Sequence, residues 1–454
     1  MAGISFPSIK VSTREARQHL HLSKRFQMIS MEERIYLEHE EISASQRDRT
    51  DEVHAFEFET FELRPNENNA NSSIFKQIRI SLPRNIYIVL FKSRVNMLLP
   101  FGPIAILVHH LSEKQGWVYF LSSVGLVPLQ ELLGVGVEQL AYYTGPSVGG
   151  LLDAMFCNIT ELIIPIYALK YGMVRVVQHF LLGSILSKLL LVLGSAFFTR
   201  GTLDNRRAQV FTEKTILVNT GMWLMAFMAI MFPTLLHSTN TEVYFGKSEL
   251  SLSRFNSFIM LVTHMSYLFY QLKFQQKQNP IDELLQGVSH EEITPQMTHL
   301  EAIGCLFILT VWVSILSRYL VNAIEGAANS MNVSKAFITV ILLPLAENAC
   351  AINFAIRNML DKTLGVVVVS STHTLMFVLP LCVLLGWLMG KPMDMNFELF
   401  EIAVLFITVV MGAFMMQDGT LNYFKGLILI FCYIIAVSLL AIVYKEYPYS
   451  EISL

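Results

Sequence analysis

An asparagine and a glutamate three positions apart, Asn158 and Glu161, stand in the middle of the apolar run GGLLDAMFCNITELIIPIYALKYG at 149–172. Positions i and i+3 share a helix face, so the pair offers a carboxylate and an amide oxygen to one point in space. Oxygen donors of this kind suit a hard cation. A carboxylate at membrane depth is costly and by default marks an ion path or a proton relay. Desolvated, one such group can hold either a proton or a metal ion, which is the physical basis of proton-coupled exchange. The alternative for Glu161 is a neutral acid in an interhelical hydrogen bond.

A second apolar run, SKAFITVILLPLAENACAINFAIRN at 334–358, places Glu347 and Asn348 at its centre. Adjacent residues point about 100° apart on a helix, so this pair does not copy the geometry of the first. The position of a symmetric carboxylate is Ala351, and Glu347 lies one turn earlier on nearly the same face. The candidate cation- and proton-binding residues are therefore Asn158, Glu161, Glu347 and Asn348, with Glu161 and Glu347 as the metal-ligating carboxylates.

Each run is followed by a helix that opens with hydroxyls, GSILSKLLLVLG at 183–194 and SSTHTLMFVLP at 370–380. Ser184, Ser187, Ser370, Ser371 and Thr372 are further oxygen donors, although hydroxyls in apolar helices often bond back to their own backbone. Lys188 is an ammonium among apolar neighbours. Pairing with Glu161 or Glu347 resolves it, and so does snorkelling to an interface. His373 either relays protons or packs neutral in the core. Ser184, Ser187, Lys188, Ser371 and His373 are thus the supporting or modulating set.

The elements that must position these residues are membrane helices. Of 454 residues, 53% are hydrophobic and 15% charged, against roughly 25% charged in an ordinary soluble protein. The charges concentrate in residues 1–94, and apolar runs near the roughly 20 residues of a bilayer-spanning helix recur from there on. Spans are expected at 95–111, 117–136, 148–170, 177–198, 215–236, 255–272, 302–322, 333–356, 364–388, 398–416 and 423–443. The chain reads as an all-α polytopic membrane protein of about eleven transmembrane helices. One leading helix at 95–112 precedes five-helix repeats at 113–272 and 302–444, separated by a cytosolic loop at 273–301 and followed by a short tail at 445–454. Five spans per repeat invert the second copy, and inverted repeats with polar centres are the pattern of a secondary transporter.

Residues 1–73 carry charges, Asn and Ser without helical period and read as disordered. Lys76, Arg79, Arg84, Lys92 and Arg94 precede the first span and put the N-terminus in the cytosol. The tail holds no signal-peptide run, so an internal helix is expected to direct insertion. The five cysteines lie in apolar runs without CxxC spacing and read as small hydrophobes. A net charge of −3 gives no nucleic-acid footprint. HExxH does not occur, and no nucleophile with a base and no metal triad is read within the apolar core, so no enzyme is expected.

GPSVGGLLDAMFCNITELIIPIYALKYG, GSILSKLLLVLG, YLVNAIEGA, AFITVILLPLAENACAI, LGVVVVSSTHTLMFVLP and FKGLILIFCYIIA resemble the plant-type vacuolar cation/proton exchangers of the cation/calcium antiporter superfamily, over most of residues 80–444 in order. The resemblance implies eleven spans, a cytosolic regulatory tail, inverted repeats and loading of calcium or other cations into the vacuole against protons. The family's Gly-Asn-x-x-Glu keeps Asn158 and Glu161 here, with Cys157 for the glycine. Its Gly-Asn-Ala-Ala-Glu-His is replaced by Glu347, Asn348, Ala349, Cys350, Ala351 and Ile352, a degenerate second motif. Lys188 stands for the family's Asn, His373 for its Gln and Asn322 for an Asp.

The function expected is a secondary active antiporter of the vacuolar membrane, exchanging calcium or another cation for protons, without a resident cofactor. Its partners are lipid and the transported ions, and assembly with related exchangers stays open. The alternative is a pseudo-exchanger of altered or no transport that regulates an active one.

Overall fold

Inside a bilayer the backbone has no water to bond, so an apolar run must satisfy its own N–H and C=O groups as a helix. The computed structural model describes residues 94–112, 114–203, 213–239, 248–285, 297–356, 360–417 and 422–446, all within one unit, Ile80–Leu454. The N-terminal tail, residues 286–296 of the 273–301 loop and residues 447–454 lie outside them. Among the described residues there are helices and no strands.

After a 3-10 turn at Arg94–Leu98, the first half runs α1 (Phe101–Leu111), α2 (Gln115–Thr144), α3 (Pro146–Phe156), α4 (Ile159–Lys170), α5 (Val174–Leu186), α6 (Leu193–Leu203), α7 (Glu213–Ser238) and α8 (Ser248–Leu285). The second runs α9 (His299–Met331), α10 (Lys335–Phe337), α11 (Leu343–Glu347), α12 (Ala349–Ile356), α13 (Leu360–His373), α14 (Leu379–Leu388), α15 (Leu399–Met416) and α16 (Tyr423–Glu446). Two rods are broken at their polar centres. The helix α3–α4 breaks at Cys157 and Asn158, and α11–α12 breaks at Asn348. Two more change pitch in mid-course, through π-helical turns at Ser187–Val192 between α5 and α6 and at Thr374–Val378 between α13 and α14. A third π turn, Ile338–Leu342, joins α10 to α11. Counting broken and π-jointed helices as single rods, the described residues form eleven consecutive rods.

Seven described helices are long and apolar enough to cross a membrane. The others fall short for visible reasons: α1 is short, two rods are broken, and α8 interrupts its apolar run with Asn256, His264 and Gln271. The sixth helix, expected at 255–272, continues to Leu285 and takes the first part of the expected loop with it. Hydropathy marks where lipid contact ends, whereas helix propagation needs only residues that tolerate the conformation, such as the Lys and Gln that follow Leu272.

In an apolar 18-residue stretch of Val174–Thr202, 89% is buried within the protein, against 28% in the corresponding stretches of His299–Met331 and Tyr423–Lys445. The rod α5–α6 is therefore central, and α9 and α16 turn Phe307, Ile308, Phe431 and Ile435 outward, as lipid-facing residues must. Close approach around the centre is made by glycine. A Cβ on Gly183 would sit 2.0 Å from the Val340 carbonyl oxygen, so α5 and the π turn after α10 touch backbone to backbone. That contact joins the central rod to the second broken rod.

Candidate functional site

Asn158 sits in the break of the third rod, and Glu161 follows in the first turn of α4, both buried. The break frees the amide of Asn158 from a regular helical turn and lets both side chains meet the central rod. Ser184 on α5 donates to Glu161 Oε1. Thr374, at the start of the second π turn, donates to Glu161 Oε2. One turn before it, Ser370 donates to Asn158 Oδ1.

Lys188 lies one turn after Ser184, within the first π turn, and is 4% exposed. Its ammonium is ion-paired with Glu161 and donates to Asn158 Oδ1 at 3.2 Å and to Thr374 Oγ1 at 2.9 Å. Of the two solutions open to this lysine, the structure takes the ion pair. Three rods thus supply two residues each, at one-turn spacing: Asn158 with Glu161, Ser184 with Lys188, and Ser370 with Thr374. Every polar group of this cluster has a partner, as buried groups require.

Glu347 ends α11 and is 8% exposed. It lies close enough to feel the charges of Glu161 and Lys188, yet neither of its oxygens has a hydrogen-bond partner among the described residues. Asn348 caps α11 and returns its amide to the Pro344 carbonyl at 2.9 Å, so it does not repeat the part played by Asn158.

Among the supporting residues, Ser187 lies beside Tyr433 of α16, and Ser371 Oγ is buried without a hydrogen-bond partner among the described residues. Thr372 joins a separate network, donating to Asn219 Oδ1 at 2.7 Å and accepting from Trp223 Nε1 at 2.8 Å. His373 packs against Phe377 and His264, with ring centroids 4.7 Å and 5.4 Å away. None of these hydroxyls or His373 enters the cluster around Glu161.

Thr374 was not singled out in the sequence, although its position four residues after Ser370 puts it on the same face. A second polar cluster went unread as well. Glu401, in the first turn of α15, accepts from Tyr444 at 2.7 Å and from the Glu398 N–H at 3.0 Å, and its Oε1 lies 3.1 Å from His179 Nε2. No three His, Cys, Asp or Glu side chains group as a metal seat among the described residues. A cation bound at Glu161 would therefore draw mostly on amide and hydroxyl oxygens.

The model of the sodium/calcium exchanger protein family matches residues 114–273 and 301–442. A vacuolar cation/proton exchanger 2 of Oryza sativa subsp. japonica is 55% identical over 361 residues, covering 78% of this chain and 83% of the relative. A vacuolar cation/proton exchanger 2 of Arabidopsis thaliana is 53% identical over 385 residues, covering 82% and 87%. Among solved structures, native YfkE superposes with a TM-score of 0.63 at 26% identity, over 77% of this chain and 99% of that one. An H+/Ca2+ exchanger CAX shares the fold at a TM-score of 0.58 and 12% identity, over 77% and 91%. With broken rods that meet at a buried carboxylate, and with these relatives over most of its length, the chain belongs to the sodium/calcium exchanger family, among the vacuolar cation/proton exchangers.

Proposed function

We propose that this protein is a secondary active antiporter that exchanges calcium or another cation for protons across the vacuolar membrane by alternating access, with the N-terminus in the cytosol. The observation that carries the reading is the cluster at Asn158 and Glu161. A carboxylate, an amide oxygen and three hydroxyls from both halves of the chain converge in a buried centre between broken helices. Such breaks at membrane depth are the places where transporters hold ions. Glu161 and Asn158 serve as first ligands, Glu347 as the second carboxylate, and Ser184, Ser370 and Thr374 as hydroxyl donors that reorient when a cation replaces a proton.

The relatives named as cation/proton exchangers and a solved neighbour titled a Ca2+/H+ antiporter support the same reaction. Calcium normally takes six to eight oxygens with more than one carboxylate, which makes Glu347 necessary to a calcium reading. The test is reconstitution of the full chain in vesicles bearing a proton gradient, with calcium, manganese and sodium offered separately. Uptake of at least one, abolished by a protonophore, is expected. No gradient-dependent uptake of any cation by correctly folded protein would overturn the reading.

A further inference from the structure

We infer that the Lys188 ammonium occupies the seat of the transported cation, so that cargo enters by displacing a tethered cation and Lys188 sets which cations the site accepts; this rests on the exchange reading above.

An ammonium has three N–H donors and no acceptor. The structure gives Lys188 three oxygens: Glu161 Oε1, Asn158 Oδ1 and Thr374 Oγ1. These are one carboxylate, one amide and one hydroxyl, the donor types a hard cation takes. Each bond the ammonium makes is therefore one that a bound cation would need. The side chain does not reach an interface, being 4% exposed on the most buried of the seven long apolar helices among the described residues. It is held inward by its partners.

Charge follows from this placement. The seat at Glu161 is neutral with Lys188 in it, and a divalent ion approaching it meets a like charge at contact range. Without the ammonium, Glu161 and the nearby Glu347, whose oxygens accept no hydrogen bond among the described residues, would face one cation together. The unsubstituted chain consequently favours monovalent cations over divalent ones, relative to the same chain without Lys188.

The test is equilibrium binding of radioactive calcium and sodium to the purified full chain and to Lys188→Asn, Lys188→Met and Lys188→Arg, each first shown to be monodisperse. Asn keeps a polar side chain and Met keeps the length, so failure of one to fold leaves the other to report. Calcium binding at least about tenfold tighter is expected in the Asn and Met variants on Coulomb grounds, with a smaller gain for sodium and none in the Arg variant. Adding Glu161→Gln to Lys188→Met should erase the gain, which a merely structural lysine would not require. Unchanged calcium affinity in folded Asn and Met variants, or a gain that survives Glu161→Gln, overturns the inference. Proton-driven flux through the unsubstituted chain with unchanged variant affinities would remove this inference and leave the exchange reading. Tighter calcium binding without flux in any form would do the reverse.

Discussion

Thr374 and Glu161 lie 213 positions apart in the chain and are hydrogen-bonded in its buried centre. The same hydroxyl oxygen accepts from Lys188, so one threonine links a carboxylate of the first half to the cation that neutralises it. Removing the hydroxyl while keeping the shape should loosen both. Thr374→Val is expected to lower proton-driven uptake about tenfold, in keeping with the roughly 1–3 kcal/mol cost of a polar group left unsatisfied, while Thr374→Ser stays near the parent rate. Equal rates for Val and parent would remove Thr374 from the site.

The Glu161–Lys188 pair makes each residue dependent on the other. Glu161→Gln leaves a buried ammonium without its counter-charge and should destabilise the protein by about 3–5 kcal/mol. Combining it with Lys188→Met removes both charges and should restore most of that stability without restoring exchange. A double-mutant cycle from denaturant unfolding in detergent reads the coupling, and additive effects would show that the pair does not matter to folding.

Gly183 is where the central rod touches the second broken rod. A methyl group there meets the Val340 carbonyl oxygen at 2.0 Å and its carbon at 2.7 Å, both backbone atoms that cannot turn aside. Gly183→Ala should force the rods apart and abolish the monodisperse, folded form. Gly221→Ala, where an added Cβ meets nothing within 4 Å, is the control. If the Gly183 variant unfolds at the parent temperature, the rods are not packed this closely.

Asp394, between α14 and α15, accepts from the Asn396 N–H at 3.1 Å and from Gln178 Nε2 at 2.9 Å. Burial nevertheless holds its carboxyl above the ordinary carboxylate range, against those hydrogen bonds and the charge of Arg175. The folded state then binds this proton more tightly than the unfolded one, so the contribution to stability falls as pH rises from the usual range through the raised value. Asp394→Asn should be at least as stable as the parent at neutral pH, with the difference closing towards roughly pH 4, the ordinary aspartate range. An Asn variant that melts below the parent at neutral pH, or an unchanged pH slope, would contradict this.

The residues that could be read without the fold are those whose meaning is local. Apolar runs had to become helices because lipid offers the backbone no partner, and Asn158 with Glu161 had to share a face because three positions separate them. That Lys188 must either pair with a carboxylate or snorkel to an interface followed from the cost of a lone buried charge. What apolar runs could not mark was helix ends: α2 reaches Thr144 and α8 reaches Leu285, past the lipid-facing stretch in each case.

The sequence by itself determined an all-helical membrane chain with a carboxylate and an amide at the centre of one rod and a displaced carboxylate in the other. Only the tertiary structure decided that Lys188 pairs with Glu161 rather than Glu347, that Thr374 and not its neighbour His373 joins them, and that Glu401 gathers His179 and Tyr444 elsewhere. Neighbouring side chains on a helix diverge by about 100°, so which one faces a partner depends on how each rod is rotated. The π turns at Ser187–Val192 and Thr374–Val378 locally change the pitch at just these positions. Rotation is set by contacts such as Gly183 against Val340, between residues far apart in the chain, and no local pattern encodes it.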